Sequence, residues 1–131
     1  MILPEERNEL LKYRLEQAKE TVSDAEILIR YEKLRSAVNR IYYGMFYCLL
    51  ALGLKYEFET SKHQQLIGWF NKNFINTKII DEKYGHMIRN AFKDRQKSDY
   101  ETYVIFTKEE VADMFEDMKV FVSEIENHIN Q

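Results

Sequence analysis

Glycine and proline are scarce in this 131-residue chain, at 4 and 1 copies. A small all-β domain needs a turn roughly every ten residues, and the residues that make turns are missing. A βαβ nucleotide-binding fold needs glycines at its phosphate loop, so that class is disfavoured as well. The single cysteine, Cys48, excludes an intramolecular disulfide and a cysteine-built zinc centre. His63, His86 and His128 include no pair spaced i,i+3 or i,i+4, so neither a metal nor another cofactor is expected. There is no GxSxG elbow, Walker A loop or GxGxxG run. The longest apolar-rich run, Ile41 to Leu54, is too short to span a bilayer. The opening MILPEERNEL has neither a basic n-region nor an apolar h-region. The expectation is a cytoplasmic protein with no membrane partner, folded as one domain over residues 1–131.

Aromatic residues and helical periodicity are abundant. Aromatics make up 14% of the chain, with 9 Tyr and 8 Phe. Leu11, Leu15, Ala18, Val22, Ala25 and Ile29 are spaced 4,3,4,3,4, which predicts a helix over 4–30 with one apolar stripe. Pro4 suits its first position. Val111, Phe115, Met118, Val122, Ile125 and Ile129 repeat the spacing over 108–130, behind a Thr107–Glu110 capping box. Residues 34–53 carry two stripes, a narrow one (Ala37, Ile41, Gly44, Cys48) and a bulky one (Val38, Tyr42, Met45, Leu49, Leu52). A helix apolar on two sides is central to its fold. Gly53 is expected to end it as a C-terminal cap. A Ser61–Gln64 box predicts a short helix over 62–75, and Asp81 is expected to cap another over 82–98. The fold class is all-α, an antiparallel up-and-down bundle of about five helices.

Net charge is −3, but residues 61–100 carry eight Lys/Arg against four acids, and residues 107–131 two against seven. Such a dipole steers an anion towards the middle of the chain, although solvated helix faces can differ in charge without function. Within the fourth predicted helix, the stripe Tyr84, Ile88, Ala91/Phe92 continues to Arg95 and Asp99. At 100° per residue Arg95 falls on the apolar face, where a guanidinium must be paired, interfacial or part of a site. Two readings stand: an Arg95–Asp99 pair at a helix end, or an arginine held out of bulk water to grip a phosphate. Tyr42 reads as core. Arg40 and Tyr43 fall off both stripes of the central helix and are free to reach a groove or partner. Cys48 reads as an inert core thiol.

The run Ala37-Val38-Asn39-Arg40-Ile41-Tyr42-Tyr43-Gly44-Met45-Phe46-Tyr47 resembles the central-helix signature of HEPN domains (higher eukaryotes and prokaryotes nucleotide-binding). Ser61-Lys62-His63 before Leu66-Ile67 resembles the start of that family's third helix. Arg95-Gln96-Lys97-Ser98-Asp99-Tyr100 resembles the place of its functional motif. The resemblance implies a helical bundle that forms a homodimer, in many members a metal-independent ribonuclease toxin paired with a small nucleotidyltransferase. It also implies that the motif arginine, here Arg95, meets its dimer mate in one cleft. The motif's histidine is absent: after four intervening residues, Tyr100 stands in its place. A tyrosine with a pKa of about 10 is a poor base at neutral pH. The expectation is a nucleotide- or RNA-binding protein, weak or inactive as a ribonuclease; the alternatives are a ribonuclease toxin that uses Arg95 with a non-standard base, and a protein-interaction module with no ligand. Its catalytic candidates are Arg95, Asp99 and Tyr100, and its binding candidates are Arg95, Lys97, Arg40, Tyr43 and His63. His63 reaches such a site only if the third helix packs beside the end of the fourth.

Overall fold

The 4,3 stripes of the first and last helices meet on the central one. The computed structural model describes residues 2–131 and contains five α-helices: α1 (Pro4–Arg30), α2 (Leu34–Lys55), α3 (His63–Phe70), α4 (Glu82–Tyr100) and α5 (Lys108–Ile129). α2 packs against α1, α5, α4 and α3, and α1 and α5 also touch each other. The narrow stripe of α2 makes this closeness possible. Ala37, Gly44, Cys48 and Ala51 are fully buried, facing a neighbour whose own contact residues include Ala18, Thr21 and Ala25. A Cβ on Gly44 would run into the Met118 methyl and touch the Thr21 side chain, so α1, α2 and α5 converge at that residue. α2 is long and apolar enough to cross a membrane by length and composition, but most of its apolar surface is covered by the other helices.

The loops follow local chemistry. Glu32 takes a left-handed φ of 58° between α1 and α2, and the N–H groups of Glu32 and Lys33 donate to the carbonyls of Ile29 and Leu28. These bonds close the end of α1 without a glycine. Asp81 accepts from the N–H of Lys83 at 2.9 Å, and Thr107 from that of Glu110 at 3.1 Å, both as the sequence predicts.

Two other expected signals work differently. Gly53 does not end α2, which runs on to Lys55, and its φ is not positive. Its function is closeness: a Cβ there would stand 2.6 Å from the Phe58 carbonyl oxygen. The Ser61 box does not form. The Thr60 hydroxyl instead accepts from the N–H of Lys62 and donates to Gln65, and α3 begins at His63. The helix expected over 62–75 ends in a π-helical turn, Asn71–Ile75, which keeps Phe70 and Phe74 buried. Between that turn and α4, Ile80 is buried, and its N–H donates to the Phe74 carbonyl.

Candidate functional site

The C-terminal end of α4 lies against the first half of α2, and two arginines meet there around one tyrosine. Arg95, on the apolar face of α4, has a side chain only 13% exposed. Its Nη2 donates to the Tyr43 hydroxyl at 2.7 Å, and its guanidinium carbon lies 5.3 Å from the Tyr43 ring centre and 5.5 Å from that of Tyr42. The Arg40 guanidinium lies 5.1 Å from the same Tyr43 ring. Each contact is a cation–π attraction, strengthened by partial burial. Burial works against the charge of Arg95, but the Tyr43 hydroxyl and then Asp99 outweigh it and raise its pKa, so Arg95 stays a cation.

Asp99 ties the two arginines together. Its Oδ2 lies 3.2 Å from Arg95 Nε, and its carboxylate accepts from Asn39 Nδ2 at 3.2 Å. Asn39 Oδ1 in turn accepts from Arg40 Nε and Nη2. The ion pair is close but poorly aimed: Arg95 Nε is buried and not directed to donate to any acceptor. Of the five N–H bonds of Arg95, the structure directs one at a protein partner, to Tyr43. A guanidinium so positioned has donors left for an anion.

Arg35 shapes the floor. Its guanidinium donates to the carbonyls of Ser98, Glu101 and Val104, tying the end of α4 and the following loop to α2. Arg35, Asn39 and Arg40 from α2, with Ser98 and Asp99 from α4, line an open groove of about 650 Å³. The sequence reading missed Arg35 and Asn39 as site residues. Their signal was available: positions 35 and 39 are polar, one turn apart, on a helix otherwise apolar on two sides.

His63 arrives from the other side. At the start of α3 its ring stacks on Phe46, with centroids 4.1 Å apart and planes 9° apart. It also packs against Tyr42 at 5.5 Å and Tyr43 at 5.7 Å, the two rings that hold Arg95. Its Nδ1 is hydrogen-bonded to the Tyr42 hydroxyl at 2.5 Å. Burial, then the Arg95 charge, lowers its pKa below the usual 6.5. The structure thus brings Arg95, Asp99, Arg40, Tyr43 and His63 together. It leaves Lys97 and Tyr100 out: both are exposed, Tyr100 at 74%, and neither side chain has a hydrogen bond or ion pair with the cluster. Among the described residues, no group of three or more His, Cys, Asp or Glu could hold a metal. Cys48 is fully buried and donates to the Met45 carbonyl, and burial pushes its pKa up, as an inert core thiol requires.

Comparison with known proteins agrees with the central-helix signature and the bundle. The family model for the HEPN domain matches residues 11–128. The chain belongs to the HEPN domain family. A UPF0332 protein of Thermotoga maritima is 35% identical, the match covering 95% of this chain and 94% of the relative. Two proteins of Methanocaldococcus jannaschii that carry the name putative toxin are each 32% identical, over 91% and 99% of this HEPN chain and 81% and 96% of their own lengths.

Proposed function

We propose that this HEPN domain binds the phosphates of RNA or a nucleotide in the groove beside Arg95. In this reading it is the toxin-like half of a cytoplasmic two-component system whose other half is a small nucleotidyltransferase. The observation that carries the binding reading is Arg95 itself. It is a largely buried cation, fixed by two aromatic rings and one hydroxyl, with Nε set against Asp99, one terminal nitrogen bonded to Tyr43, and a second arginine on the same tyrosine. A purely structural pair at a helix end would spend its donors on Asp99 and would not gather Arg40. The names of the M. jannaschii relatives support the toxin reading.

The protein acts as a homodimer in this proposal. Tyr100, Tyr103 and Ile105 are 74%, 91% and 85% exposed just beyond the groove, an apolar surface suited to a second copy. A two-fold axis near the end of α4 would bring two Arg95 grooves towards one cleft. The test is fluorescence anisotropy with a labelled oligoribonucleotide. Arg95→Ala and Arg40→Ala should each weaken binding about tenfold or more, with Arg95→Lys no better than Arg95→Ala. Unchanged affinity in folded Arg95→Ala protein refutes the site.

RNA cleavage is a second reading. The placement of His63 against the tyrosines that hold Arg95 favours it.

A further inference from the structure

The segment between α2 and α3 closes one side of a hollow that is separate from the groove beside Arg95. Leu10 of α1, Phe46, Tyr47, Leu50 and Leu54 of α2, and Phe58 of the connecting segment wall a volume of about 450 Å³. Neither Arg95 nor His63 lines it. Local chemistry fixes the connecting segment in place. Gly53, without a Cβ, lets the Phe58 backbone come close, and the Phe58 N–H donates to the Gly53 carbonyl at 2.8 Å. Glu57 takes a left-handed φ of 60°, and the Phe58 ring stacks on Trp69, 4.9 Å and 4° apart. Two arginines of α1 and two glutamates of this segment stand near one another, and they behave differently. Arg7 Nη1 and Glu57 Oε1 are paired at 3.3 Å. Arg14 and Glu59 both line the hollow, yet neither has an ion pair among the described residues. Arg14 is half-buried and donates from Nη1 to Gln17 Oε1 at 2.9 Å, which leaves the rest of its fork for a carboxylate.

We propose that this hollow binds a zwitterionic α-amino acid with a large apolar side chain. The ligand carboxylate pairs with the Arg14 fork, its ammonium with Glu59, and its side chain lies among Phe46, Tyr47 and Phe58. The charges decide the class. An apolar anion would satisfy Arg14 but meet repulsion from Glu59, and an apolar cation would meet the reverse. A nucleobase could stack on the same rings, but it carries no formal charge of either sign to answer the two side chains. A ligand with both charges on one end and an apolar body on the other matches the whole lining. The volume falls within the range of about 300–1,000 Å³ usual for small-ligand sites. Three aromatic walls favour an aromatic side chain over an aliphatic one, because offset and edge-to-face ring contacts add to the burial of apolar area. This site does not depend on phosphate binding in the Arg95 groove, and the two share no lining residue.

Trp69 is the one tryptophan of the chain and stacks on Phe58, so its fluorescence reports on the hollow, while calorimetry on the purified full chain gives the affinity. The probes are L-phenylalanine, hydrocinnamate (no ammonium), phenethylamine (no carboxylate) and guanosine. L-phenylalanine should bind and change the Trp69 emission, with hydrocinnamate and phenethylamine each about tenfold or more weaker. Arg14→Ala should weaken L-phenylalanine about tenfold and leave phenethylamine within about twofold. Glu59→Gln should weaken L-phenylalanine but not hydrocinnamate. Melting curves establish that both variants are folded. Absence of heat and of any emission change at millimolar L-phenylalanine overturns the proposal. So does hydrocinnamate or phenethylamine binding as tightly as L-phenylalanine, since the second charge then does nothing. Unchanged L-phenylalanine affinity in folded Arg14→Ala and Glu59→Gln overturns it too, and guanosine binding more tightly than L-phenylalanine overturns it in favour of a nucleobase.

Discussion

Replacing Gly53 with alanine should destabilise the protein, although alanine is the better helix former. The intrinsic preference for alanine inside a helix is worth about 1 kcal/mol. At Gly53 the new methyl would stand 2.6 Å from the Phe58 carbonyl oxygen, a backbone atom that no side-chain rotation removes. Relief requires moving the connector. That strains the hydrogen bond from the Phe58 N–H to the Gly53 carbonyl, 2.8 Å long and worth about 1 kcal/mol. It also displaces the Phe58 ring from its stack on Trp69, 4.9 Å and 4° apart, worth about 0.5–1.5 kcal/mol beyond buried area. The clash adds about 1 kcal/mol or more before relaxation is complete. The balance is a loss of about 1.5–2.5 kcal/mol, or roughly 5–10 °C in Tm for a chain of this size. Gly68 supplies the opposite sign within the same molecule. It is exposed in α3 with nothing within 4 Å of a Cβ, so Gly68→Ala should gain about 0.5–1 kcal/mol. Thermal denaturation followed by circular dichroism decides the matter. A Gly53→Ala protein as stable as Gly68→Ala would refute the close-approach argument. Because the displaced connector leads straight to His63, Gly53→Ala should also reduce any activity that depends on that ring.

Light scattering should give twice 15.9 kDa at micromolar concentration, and a mass near 15.9 kDa would rule out the homodimer. Asp94 has its pKa raised by burial and by Glu110, and Asp117 by burial and by Asp113. Each folded carboxyl holds its proton to higher pH than the unfolded one, so stability falls as pH rises through the raised value. Asp94→Asn and Asp117→Asn should therefore raise Tm at pH 7 more than at pH 4, and an equal change at both would contradict the burial effect. His63 runs the other way in pH. Its folded pKa lies below 6.5, so stability should drop as pH falls through the window just under 6.5, and His63→Phe should flatten that drop in urea melts taken at pH 5 to 7.

What could be read from the sequence depended on the distance over which each signal acts. The stripes of α1 and α5 are local, and every apolar residue named on α5 is buried. Arg95 on an apolar face was legible for the same reason, because its position follows from 100° per residue alone. Gly53 misled because a glycine near a helix end has two uses, a left-handed cap or a close approach. Only the path of residues 56–62 distinguishes them. The contact between Tyr42 and His63 spans 21 positions, and nothing local in either segment encodes it. The distance-dependent part of the site is thus the part the sequence reading could state only as a condition, that the third helix pack beside the end of the fourth.

The central helix explains why core and site are inseparable here. Tyr42 and Tyr43 are neighbours in sequence and point about 100° apart on α2. Tyr42 goes fully into the core, and Tyr43 stays at its edge. An arginine from α4 that touches both rings is therefore anchored in the core, one ion pair away from Asp99 on the groove wall. The same two rings receive His63 from α3, so three helices converge on one aromatic pair. Holding a cation and an imidazole close together in water would cost ordering entropy at each use. Fixing both through residues that already stabilise the bundle removes that cost from the binding step, which is what preorganisation requires. It also restricts substitution: Tyr42→Phe spares the packing and removes the hydroxyl that orients His63, whereas Tyr42→Leu disturbs the core, the Arg95 contact and the His63 contact together. A functional assay after either change should track the position of His63 more closely than it tracks Tm, since the two variants differ in packing while both lose the hydroxyl.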